Sequence, residues 1–141
     1  MSADRAATLR AEGEAKRRRD PAGARAAYEE AVALLRGGDD PLRFAHTIRH
    51  LGDVYREQGD LSAAAPCYDE ALAVYRANAA TARTLDLANA IRSAAVLKQE
   101  MRQLADAAAL WAEALELYRE VNVEPGVAES ARRLAMLRAG L

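Results

Sequence analysis

Three nine-residue segments of this chain carry one pattern: ARAAYEEAV at residues 24–32, AAPCYDEAL at 64–72 and AAALWAEAL at 107–115. Each reads alanine, three residues, a large aromatic, one residue, glutamate, alanine, aliphatic, and each runs on to an arginine, Arg36, Arg76 or Arg119. The copies start 40 and 43 residues apart. Repetition at such a period marks an architecture in which one supersecondary unit is stacked on the next, because a single unit cannot bury its own apolar face. Ala24, Ala64 and Ala107 lie where the second helix of a hairpin crosses the first, and a larger side chain would part the pair. Tyr28, Tyr68 and Trp111, about one turn later, fill the space between one hairpin and its neighbours.

Composition agrees with helices. The apolar fraction is 51%, much of it alanine, while aromatics are only 5%, which favours closely packed helices over strands rich in β-branched residues. Breaks fall at Asp20-Pro21-Ala22-Gly23, Gly37-Gly38-Asp39-Asp40-Pro41, Gln58-Gly59-Asp60 and Asn122 to Gly126. They predict helices over about 3–19, 21–36, 42–58, 62–78, 84–102 and 105–120, with a seventh ending near Arg138. In the third, Phe44, Ile48, Leu51 and Tyr55 are spaced four, three and four and form one face. With Ser62 as the cap of the fourth helix, Pro66 removes only its earliest intrahelical bond, so a mild distortion is expected. At 141 residues the chain suits one domain with its own core.

The best-formed copy, Leu51 to Arg76, resembles the tetratricopeptide repeat, a helix-turn-helix unit with a Trp, Leu-Gly, Tyr, Ala, Phe, Ala, Pro signature. Leu51, Gly52, Tyr55, Ala64, Tyr68 and Ala71 fall on the family positions, with Ile48 in place of the tryptophan and Arg76 in place of the proline. The third copy keeps Ala107, Trp111 and Ala114 but has Ala94, Ala95 and Lys98 in its leading helix. The first keeps Ala24, Tyr28 and Ala31 and is poor in its leading helix. The spacing is similar to the subgroup with longer repeats of about 40 residues. The resemblance implies an all-α α-solenoid of three antiparallel hairpins, residues 3–38, 42–79 and 84–121. A C-terminal capping helix, 125–139, would complete a single domain of seven helices spanning 1–141.

What the family resemblance implies for function is a non-catalytic protein–protein interaction module or scaffold that holds a peptide or partner helix in a concave groove lined by the first helices. The groove candidates are His46, Arg49, Asp53, Arg56 and Glu57 in the middle copy, Asn89, Arg92, Val96, Gln99 and Glu100 in the third, and Glu129, Arg132 and Met136 in the last helix. Arg49, Arg92 and Arg132 occupy one equivalent position, and a ladder of guanidinium groups would suit a carboxylate or acidic peptide. The bland alternative is that these arginines pair with Asp53, Glu57, Glu100 or Glu129 and only solubilise the surface. The lysine and asparagine positions of the family's carboxylate clamp fall on Leu9, Gly13, His50, Asn89 and Ser93, so that clamp does not carry over.

Other chemistry has little support. His46, His50 and Asp53 share a helical face as metal ligands could, but no Cys/His cluster accompanies them, so no metal or cofactor is expected. No glycine-rich phosphate loop, Gly-x-Ser-x-Gly elbow or His-Glu-x-x-His motif occurs, and Cys67 has no local histidine partner, which argues against an enzyme. A formal charge of −1, from 20 basic and 21 acidic residues, lacks the basic excess of a nucleic-acid binder. Arg17-Arg18-Arg19 reads as a basic run at a helix end, favourable to the macrodipole. A single cysteine, no apolar leader and no membrane-length run point to a cytoplasmic protein, with self-association as the alternative structural role.

Overall fold

The computed structural model describes residues 2–140. Seven helices and no strand lie among them: α1 (Ser2–Lys16), α2 (Pro21–Leu35), α3 (Pro41–Glu57), α4 (Leu61–Ala77), α5 (Thr84–Glu100), α6 (Leu104–Glu120) and α7 (Glu124–Arg138). This is the expected all-α class, with each helix end within three residues of its expected place. By contact the chain comprises two compact units, residues 1–78 and 79–141. In the first, α1 packs on α2, α2 on α3 and α3 on α4; in the second, α5 packs on α6 and α6 on α7.

Repeat residues make the core of each unit. Ala24, Ala64 and Ala107 are each fully buried, and Tyr28, Tyr68 and Trp111 are at most 3% exposed, as their positions in the pattern demand. Leu9, Ile48, Leu51 and Val54 join Tyr28 in the core of the first unit. Cys67 is buried there as well; burial, and then the Glu70 charge, push its thiol up to about 11, so it is an inert packing group.

Helix starts follow a rule that the nine-residue pattern does not reveal. Asp20, Asp40 and Asp60, twenty residues apart, each accept a hydrogen bond from the backbone N–H three residues on: Gly23 at 3.0 Å, Arg43 at 3.1 Å and Ala63 at 3.3 Å. In the second unit Arg83, Gln103 and Val123 hold the same positions, again twenty apart, without side-chain caps. The half-repeat is therefore twenty residues. The wider spacing of 43 arises from three extra residues between Asp60 and Arg83, at the connection from α4 to α5 where the two units meet in sequence.

Two expectations need correction. The cap of α4 is Asp60, not Ser62, whose hydroxyl instead donates to Asp60 at 3.3 Å. Pro66 thus stands a full turn inside α4, and the bond it deletes is the one to the Ser62 carbonyl. The helix nevertheless runs on unbroken to Ala77, with Ser62 and Pro66 on its exposed face. The first copy's leading helix is also better than its alignment suggested. Gly13 lies against the Tyr28 ring as Gly52 lies against Tyr68: a Cβ on either would stand 2.7 Å from ring carbons. Gly13 is fifteen residues before its tyrosine and Gly52 sixteen, so a one-residue shortening hides the match.

Candidate functional site

The first helices of the hairpins carry a polar row, and the core aromatics use it. Tyr28 Oη donates to Glu14 Oε2 at 3.0 Å, Tyr68 Oη donates to Asp53, Trp111 Nε1 donates to Gln99 Oε1 at 3.0 Å and Tyr118 Oη donates to Asn89 Oδ1 at 2.6 Å. A buried aromatic with a polar tip needs such a partner, and the residue next to the leading-helix glycine, Glu14 or Asp53, is placed to supply it. Burial and the acceptor carboxylate push the Tyr28 phenol up to about 12 and Tyr68 higher still. Asp53, Gln99 and Asn89 therefore support the core as well as bordering the surface.

The remaining candidates fall as follows. In the first unit Arg49 Nη1 donates to Asp53 Oδ2 at 3.2 Å while its Nε is buried with no partner among the described residues, and Arg56 reaches Tyr68 Oη at 3.3 Å and Asp53 at 3.8 Å. Asp53 is buried and enclosed by these three groups, so it is not poised to join His46 and His50 as a ligand set. Those two imidazoles meet edge to face, 4.7 Å between ring centres. In the second unit Arg92 grips Glu129 with both nitrogens, Nε at 2.5 Å and Nη2 at 3.0 Å, and Arg133 adds a contact at 3.6 Å. Burial raises Glu129, but hydrogen bonding to Arg92 and the charges of Arg92, Arg133 and Arg132 outweigh it and hold the carboxyl below its usual range. Val96 is buried at 7%, a packing residue with little surface for a ligand, whereas Met136 is 41% exposed and Arg132 is exposed.

Hollows border these helices. One of about 320 Å³ lies between α1 and α3 over Tyr28, lined by Ala7, Arg10, Ala11, Glu14, His46 and His50. A second, of about 410 Å³, lies between α5 and α7 over Tyr118, with Asn89, Arg92, Gly126 and Glu129 in its wall. Another, of about 690 Å³, sits at the end of α1 among Glu14, Arg17, Arg18, Arg19 and Glu57. Its central cation is already engaged: Arg17 clamps Glu57 through Nε and Nη2, both at 2.7 Å, and also contacts Glu14 at 3.2 Å. That clamp ties α1 to α3 across forty residues, so Arg17 is a tertiary contact and not simply a charge at a helix end. Spacing alone carried no signal for it.

Arg10 and the contacts of Gly13 and Gly126 were missed in the sequence. Counting from the glycine on which the aromatic packs, Arg10 precedes Gly13 by three just as Arg49 precedes Gly52, so Arg10 belongs to the same row as Arg49 and Arg92. Among the described residues no group of three or more His, Cys, Asp and Glu is arranged to hold a metal ion, and no helix is long and apolar enough to cross a membrane.

Solved structures with the same fold span nearly the whole chain. Aspartyl phosphate phosphatase F from Bacillus subtilis superposes with a TM-score of 0.82 at 11% identity, over 97% of this chain and 36% of that one. The N-terminal domain of stress-induced protein-1 (STI-1) from C. elegans gives 0.74 at 19% identity, over 97% of both chains. BtubC (BKLC) from P. vanneervenii gives 0.74 at 20% identity, over 97% of this chain and 65% of that one. The chain thus spans about a third of the phosphatase and about two thirds of BtubC, and at these identities the likeness concerns the fold alone. No curated protein matches the sequence. A profile of the soluble NSF attachment protein (SNAP) family matches residues 2–123, most of the chain. With its paired helices, aromatic-on-glycine contacts and tetratricopeptide-type repeats, this chain belongs to the soluble NSF attachment protein family of helical-repeat proteins.

Proposed function

We propose that this chain is a non-catalytic interaction module that receives a peptide or partner helix, an acidic one, along the polar face of its first helices. Tetratricopeptide-type repeats characteristically mediate contacts between proteins, and the observation that carries the finer reading is the concavity between α1 and α3. It is walled by the small residues Ala7 and Ala11, which leave room for an incoming side chain, and by Arg10, His46 and His50, which supply hydrogen-bond donors. Arg132, exposed on α7, offers a cation of the same kind in the second unit, and a cytoplasmic setting without nucleic acid or membrane suits the balanced charge. Nothing in this reading requires chemistry at a bound substrate.

Site-specific photo-cross-linking tests it. A cross-linking residue at Ala11, exposed on α1 and facing the concavity, is expected to capture a partner from native lysate. The same residue at Ala33, exposed on α2, is expected to capture none of it. Equal capture from both positions, or none from Ala11, would overturn the proposal.

A further inference from the structure

The two units hold the same pair of positions with opposite chemistry. His46 follows the α3 cap Asp40 by six residues, and Glu129 follows the α7 cap residue Val123 by six. Arg10 precedes the small residue Gly13 by three, and Arg92 precedes the buried Ala95 by three, at the place that Arg49 has before Gly52. Arg10 and His46 line the hollow between α1 and α3, and Arg92 and Glu129 line the hollow between α5 and α7. In the second unit the arginine is satisfied from within, by the bidentate Glu129 carboxylate. In the first unit the carboxylate is replaced by an imidazole, and Arg10 forms no hydrogen bond or ion pair with any described residue.

The rest of the first hollow points the same way. His50 Nδ1 is buried with no hydrogen-bond partner among the described residues. The one carboxylate in the wall, Glu14, is already used by Tyr28 Oη at 3.0 Å and Arg17 Nη1 at 3.2 Å. An unengaged guanidinium beside two imidazoles, in a hollow with alanine walls, lacks an acceptor of opposite charge. We propose that the α1/α3 concavity is a carboxylate site that takes a glutamate side chain of a protein partner onto Arg10, flanked by His46 and His50, in the place that Glu129 fills between α5 and α7. Glu129 is the internal pattern for that ligand: a glutamate reaching from a neighbouring helix to a leading-helix arginine. The proposal rests on the groove reading above and names the side chain the groove selects.

The two histidines are the only ones in the chain, so their imidazole resonances report on the hollow directly. The full chain is titrated at low ionic strength with hexaglutamate blocked at both ends, and with blocked hexaglutamine. The glutamate peptide is expected to move both imidazole signals saturably, and the glutamine peptide to leave them in place. R10Q should weaken binding about tenfold, the worth of one charge-assisted contact. H46E installs the carboxylate that the second unit already has and should abolish binding by satisfying Arg10 from inside, so the result does not hang on one variant. Imidazole signals that stay fixed, or binding unchanged by both R10Q and H46E, would overturn the site. Acetate, or hexaglutamine with a free C-terminus, acting as strongly as the glutamate peptide would overturn it in favour of a small-anion or chain-terminus site. If Ala11 captures a partner while the glutamate peptide fails, the groove reading stands and the carboxylate site falls; if both fail, both fall.

Discussion

His50 sits at the edge of the α1/α3 hollow with one ring nitrogen sealed from water, and that position fixes its protonation. Burial, then the charges of Arg49 and His46, lower its pKa to about 4, with Asp53 opposing and Arg17 adding to the fall. The folded chain therefore resists a proton that the unfolded chain accepts near 6.5. The stability at stake is fully present above about pH 6.5 and is lost as pH falls towards 4, because in that window the unfolded state binds more protons. Chemical denaturation at pH 7 and pH 4.5 should show the wild type losing about 2 kcal/mol more than H50Q. Equal losses would mean that His50 is not the group responsible. At the same scale, glycine hydrogens set the packing distance. A Cβ at Gly52 would meet Tyr68 Cε1 at 2.7 Å, and one at Gly126 would meet the Tyr118 ring at 2.5 Å. Gly52 was legible from its place in the repeat. Gly13, displaced by one residue in register, and Gly126, read only as part of the break after the sixth helix, were not.

Helices in this chain end in one way more often than their sequences advertise. After α3, α5 and α6 the chain passes through a left-handed residue, Gly59, Arg102 or Asn122, with φ of +80°, +62° and +56°. The next amide then bonds back to Tyr55, Lys98 or Tyr118, at 2.9, 2.8 and 3.1 Å. Glycine and asparagine accept that conformation readily. Arginine does so at a cost of roughly 1 kcal/mol, because its Cβ crowds the following carbonyl. R102G is accordingly expected to raise the stability of the whole chain by about 1 kcal/mol in a urea titration with unchanged slope, and a fall would show that the Arg102 side chain contributes more than its backbone strain. The Gln58-Gly59-Asp60 turn was readable because glycine marks it. The break after the fifth helix was placed as well, but only the hydrogen-bond geometry reveals that an arginine has taken the glycine's role there. Asp20 was legible as a cap before its helix. The cap of α4 was misread because Ser62 and Asp60 both qualify by type and only the chain's path chooses between them.

For the whole molecule, the twenty-residue half-repeat is interrupted once, by the three added residues between α4 and α5, and the division into two compact units falls at that point. A single domain over 1–141 is expected to melt in one calorimetric transition whose van't Hoff and calorimetric enthalpies agree; two transitions would mean that residues 1–78 and 79–141 fold independently. Of the 20 basic and 21 acidic side chains, several are paired within the fold. Arg17 with Glu57, Arg36 with Glu70 and Arg92 with Glu129 each join different helices, and these pairings decide which of the leading-helix cations remain for a partner.

The sequence by itself determined the class of this protein: small residues at crossings, aromatics one turn later and breakers at the turns leave stacked helical hairpins as the way to bury those faces. It also marked the leading helices as the place to look for binding, and it raised the alternative that Arg49 and Arg92 have carboxylate partners, which they do in Asp53 and Glu129. Only the tertiary structure decided which charges are engaged. Ion pairing across helices depends on neighbours some forty residues distant, Arg17 on Glu57 and Arg92 on Glu129, and no local spacing encodes them. The same distance in sequence separates Arg10 from His46, and only the packing of α1 beside α3 brings Arg10 into a hollow whose single carboxylate, Glu14, is already engaged.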